Sequence, residues 1–168
     1  GEVLEPAAST GRVRRAAVHR QQLDERRILL LAAGGPHRAD EVVTAGIVLA
    51  TRAEATLRLV SLVALDVPKG ARDEAQLAAE AHATSVLDAV AEHLPASIER
   101  ESLIASGKRI ETAVRAIAWD PTELVLVGSS RLAPSGTIFL GSTAARMLHE
   151  LPVPMVVVPR DSLLEIGD

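Results

Sequence analysis

The chain has 168 residues, 48% apolar and 24% charged, the proportions of one globular domain able to bury a sizeable core. Aromatic residues make up 1%, essentially Trp119 and Phe139, and 22 acidic side chains outweigh 18 basic ones for a net charge of -4. That composition argues against stacking platforms for single strands and against a cationic face for duplex DNA, so no nucleic acid partner is expected. The absence of Cys excludes disulfides, thiolate metal sites and cysteine nucleophiles, and no run of about 18 apolar residues is present to span a bilayer.

Residues 1–25 read as a leader or linker. They are poor in core formers, lack the charged-then-apolar order of a signal peptide, and lead into six Arg between positions 12 and 27. Either a solvated extension or one short helix over residues 13–23 fits. The folded domain is expected over residues 26–168.

From Arg27 onward strand and helix signals alternate. Ile28, Leu29, Leu30 and Leu31 form a short apolar run closed by Ala33, Gly34, Gly35 and Pro36, a strand buried on both faces. Asp40 opens a helix whose Val43, Ile47 and Ala50 make one apolar stripe. A second strand passes through Leu57, Leu59, Val60, Leu62 and Val63. After Pro68, Lys69 and Gly70, the longest helix is predicted over residues 72–93, with Leu77, Leu87, Val90 and Leu94 near one face. A third strand over residues 97–104 is interrupted by Glu99, Arg100 and Glu101, as suits a sheet edge. The Ile110, Val114 and Ile117 spacing predicts a helix over residues 108–119. Leu124, Val125, Leu126 and Val127 read as another strand, residues 129–140 as a loop, residues 142–151 as a helix, and residues 152–159 as a last strand.

Five strands separated by four helices, several strands being apolar throughout, specify an α/β fold whose mostly parallel sheet carries helices on both faces. Ligands of such sheets sit beyond the carboxyl ends of the strands, which directs attention to the turns after Ala32, Val63 and Val127.

The segment 127–143, VGSSRLAPSGTIFLGST, joins a buried strand to a helix start through a Gly- and Ser-rich loop. Gly141, Ser142 and Thr143 place backbone N–H groups and two hydroxyls at a helix N-terminus, which favours an anion such as phosphate. A simple helix cap explains the same three residues, and both readings stand on the residues alone.

This stretch resembles the nucleotide-binding signature of the universal stress proteins: Gly, two residues, Gly, nine residues, Gly, then Ser or Thr. Gly128 takes the first place, Arg131 stands where the second Gly is expected, and Gly141 with Ser142 fall in register. The closing ARMLHELPVPMVVVPR, with Pro152 and Pro154 flanking one residue, is similar to the family's last helix and strand. The resemblance implies a three-layer α/β/α, Rossmann-like fold of the adenine nucleotide alpha hydrolase-like kind, with a five-stranded parallel sheet in the order 3-2-1-4-5. It implies ATP as ligand, with magnesium only alongside ATP, and a homodimer joined through the last strand, Met155 to Val158. By position, Gly128, Arg131, Gly141, Ser142 and Thr143 would surround the phosphates and ribose, Val63 would lie near the base, and Ala33 and Gly34 would follow the first strand beside the nucleoside. ATP-binding members usually carry Asp where Ala33 stands, so a carboxylate contact is missing. Arg131 either strains a backbone that needs positive φ or offers its guanidinium to a phosphate.

No metal or catalytic set accompanies this signature. The Gly107-Lys108 pair lacks the rest of a P-loop, and His19, His37, His82, His93 and His149 lack metal-ligand spacing. Ser130 has no second Gly to form a nucleophile elbow. The expectation is a non-catalytic, cytoplasmic regulatory module with a degenerate ATP site, acting through dimerisation and partner contacts in stress response or signalling. Gly1 in place of Met, the Arg-rich leader and Ala33 also fit a cytosolic regulatory domain of an amino-acid permease or cation/proton antiporter, covalently linked to that membrane transporter. The half of a tandem stress protein, linked to a second such domain, and a weak ATPase are further alternatives.

Overall fold

The structure, a computed structural model, describes residues 27–31, 40–129 and 140–159. In chain order it runs β1 (Arg27–Leu31), α1 (Asp40–Ala53), β2 (Thr56–Ala64), a 3-10 turn (Lys69–Ala71), α2 (Arg72–Glu92), β3 (Arg100–Gly107), α3 (Ile110–Arg115), β4 (Leu124–Gly128), α4 (Ser142–Leu148) and β5 (Met155–Val158). All strand pairs are parallel and the sheet order is β3-β2-β1-β4-β5. This is the three-layer, Rossmann-like arrangement that the sequence implies.

Side chains alternate across the sheet, so each strand feeds two cores. Leu57, Leu59 and Leu126 pack with Val42, Val43 and Ala50 of α1 and with Leu87 and Val90 of α2. On the opposite face Val60, Val125 and Val127 pack with Ala113 and Val114 of α3 and with Ala144 and Met147 of α4. Leu57, Leu59 and Val60 are fully buried, each contributing about 1.5–3 kcal/mol relative to an exposed position. Helices α1 and α2 thus cover one face, α3 and α4 the other. The chain changes face between β1 and β4, which makes that pair the switch point of the sheet.

The short elements differ from the sequence reading at their ends. Strand β3 begins at Arg100, because Ile98 turns back onto Pro95 and pairing opens with the Leu57 N–H donating to Glu99 O at 2.9 Å. Its charges open an edge strand rather than interrupt it. Helix α3 stops at Arg115, where Ala116 and Ile117 tighten the chain by bonding three residues back. Helix α4 stops at Leu148, ahead of Pro152, whose ring disfavours a helical residue before it. Leu77 leaves the buried face of α2 and is 69% exposed, while Ala83 joins Leu87 and Val90 in the core. At about 100° per residue, Leu77 sits roughly 80° off Leu87, so spacing alone does not place it on the stripe.

An ion pair hidden in the sequence closes the N-terminal end of the sheet. Arg58 in β2 is 6% exposed, and its Nη1 donates to Glu123 Oε1 at 2.6 Å and to Ala118 O at 3.3 Å. Its Nε lies 2.9 Å from Glu101 Oε1 without hydrogen-bond alignment, so that contact is coulombic. Arg27 approaches the same Glu101 at 3.8 Å. Glu123 Oε2 accepts the Asp120 N–H at 3.2 Å, and Asp120 in turn is held below the ordinary carboxylate range by the hydroxyl and N–H of Thr122. Together these contacts fasten β1, β2, β3 and the loop before β4 to one another.

Candidate functional site

The carboxyl ends of β1, β2 and β4 point to the same end of the sheet, around the β1–β4 switch point. Val63 lies one residue before the end of β2, buried and in register with Ser106 of β3. Gly128 is the last residue of β4, opposite Val158 of β5. The next residue, Ser129, is buried and its N–H donates to Val158 O at 2.8 Å. The root of the Gly- and Ser-rich loop is therefore part of the sheet, and the Ser129 amide already serves β5.

Gly141 is the N-cap of α4, with φ -67 and ψ 161 and no side-chain cap hydrogen bond. Glycine is not required there for its backbone angles, since φ is negative. Ala145 closes the first helical bond onto Gly141 O at 2.9 Å, leaving the amides of Ser142, Thr143 and Ala144 without a partner inside the helix. Ser142 and Thr143 are the first residues of the helix proper rather than its cap, so the reading of either as a simple side-chain cap does not hold. Ser142 is exposed and Thr143 half-buried.

The topology thus brings Val63, Gly128, Gly141, Ser142 and Thr143 to one end of the sheet. Ala33, Gly34 and Arg131 lie outside the described residues. Among the described residues no group of three or more His, Asp or Glu is arranged to hold a metal ion.

Two features that the sequence reading missed shape this end. Gly107 closes β3 and its carbonyl accepts the Leu65 N–H at 3.0 Å, while a Cβ at Gly107 would meet the backbone nitrogen of Ala113 at 2.7 Å. Only glycine lets the first turn of α3 come so close. A single Gly before Lys108 gives no hint of that approach.

The second feature is how α4 is held. Only Ala144 and Met147 bury it, but Arg146 grips Glu111 of α3 with both arms, Nε to Oε1 at 2.8 Å and Nη2 to Oε2 at 2.7 Å. One turn further along, Arg115 Nε reaches Glu150 Oε2 at 2.8 Å. Hydrogen bonding from Arg146, then from the helix backbone, with the charges of Arg146 and Arg109 adding, lowers the Glu111 carboxyl to about 2. The paired residues are four apart, Glu111 and Arg115 on α3, and Arg146 on α4 with Glu150 in the turn after it, which a sequence shows only if the two segments are known to be neighbours.

The universal stress protein family model matches residues 25–159. No match is found among curated proteins. Among solved structures, UspA from Lactobacillus plantarum is similar at 18% identity, covering 79% of this chain and 96% of its own, with a TM-score of 0.57. A universal stress family protein from Burkholderia pseudomallei is 21% identical over 80% of this chain and 96% of its own, with a TM-score of 0.54. The Archaeoglobus fulgidus universal stress protein in complex with dAMP is 14% identical over 79% and 96%, with a TM-score of 0.51. At these identities the structures speak for the fold alone. With the family match spanning most of the chain and the sheet order β3-β2-β1-β4-β5 underneath it, the chain belongs to the universal stress protein family.

Proposed function

We propose that the chain is a non-catalytic regulatory module with a partly degraded adenine nucleotide site, whose ligand state alters its contacts with partners in stress response or signalling. The observation that carries this reading is the placement of Gly128 and of Gly141, Ser142 and Thr143 at one end of the sheet, with the helix start uncapped by any side chain. Phosphates would meet the amides at residues 142–144 and the hydroxyls of Ser142 and Thr143. Val63 would border the base through its main chain, and Ala33, Gly34 and Arg131 would complete the ring. ATP is the ligand to test, with magnesium carried by its phosphates. The dAMP bound in the Archaeoglobus fulgidus complex supports an adenine nucleotide as the first choice.

Partner contacts would run through a homodimer. Strand β5 is a four-residue edge strand with Val156 41% exposed, and Leu148 on the neighbouring α4 is exposed as well, an apolar edge suited to a second copy. A cytoplasmic location goes with this role; among the described residues no helix is long and apolar enough to cross a membrane.

Calorimetric titration of ATP, with and without magnesium, tests the reading, alongside the thermal shift that a native-state ligand must produce. Saturable binding is expected. Ala33→Asp is expected to tighten it about tenfold or more by restoring a charged hydrogen bond of about 1.5–3 kcal/mol. No heat and no thermal shift at millimolar ATP in either protein would overturn the nucleotide half of the proposal and leave a dimerisation module.

A further inference from the structure

We draw no further inference here: the strongest candidate, the outward face of α2 around the exposed Leu77, is a helix face with nothing in the structure to show what covers it.

Discussion

The two ends of the sheet are built on opposite terms. At the N-terminal end Arg58 and Glu123 are buried together, with Ala118 O and the Asp120 N–H taking up further bonds, and Glu101 and Arg27 extend the network across the strands. At the C-terminal end the first turn of α4 presents amides with no side-chain cap, and Leu140 and Ser142 face solvent. One end spends its polar groups on itself and the other holds them ready. A buried charge left without its partner is costly, whereas amides at a surface helix start are solvated at little cost, so the fold's tolerance to change differs between the two ends.

Removing one member of the closed end is the most damaging change. Glu123→Ala takes from the buried Arg58 guanidinium its one buried carboxylate, leaving the Ala118 carbonyl and the unaligned, partly exposed Glu101, and is expected to cost about 3 kcal/mol in denaturant unfolding. Replacing both, as Arg58→Met with Glu123→Leu, should recover most of that loss, since a matched apolar pair removes the charge along with its partner. If the single variant were as stable as the wild type, the contrast between the ends would be gone.

At the open end, Gly107→Ala pushes a methyl group against the Ala113 backbone and should cost about 1–3 kcal/mol, the range for overpacking that only backbone movement can relieve. Smaller again is the acid response of the α3–α4 clamp. The Glu111 carboxyl is lowered in the folded state to about 2, so its contribution is complete above the ordinary carboxylate range and is lost as pH falls through about 2. An NMR titration of the Glu111 side chain should show its midpoint well below those of the other glutamates. Smallest of all is Leu77→Lys on the exposed side of α2, expected to change stability by no more than about 0.5 kcal/mol. A larger loss would mean that this leucine is covered in the assembled protein.

How far the sequence foretold these regions follows from the range of the interactions. Strands β1 and β4 were legible because uninterrupted apolar runs have few other solutions in an α/β chain, β2 from its Leu and Val residues on either side of Arg58 and Ser61, and the edge position of β3 from Arg100 and Glu101. The signature spacing from Gly128 to Gly141 and Ser142 directs attention to the carboxyl end of the sheet, where these residues lie. Arg58 was not legible as a keystone: its partner Glu123 is 65 residues away, and a single charge in a strand reads as an edge or a defect until the partner is seen. Leu77 failed for the opposite reason, since a leucine in an alanine-rich helix looks like core wherever it falls. The tight contact at Gly107 and the bond from Ser129 to Val158 depend on how neighbouring elements dock, which local sequence does not encode.

The contrast between the ends also decides what light can report. The chain has one Trp and no Tyr, and that indole, Trp119, sits at the closed end, its Nε1 donating to Val114 O at 3.1 Å beside the core under α3. Its emission is thus an optical readout of whether the closed end is intact, nearly blind to events at the uncapped helix start. A fluorophore for those events has to be introduced, and a Trp in place of the exposed Leu140 would supply one at the start of α4.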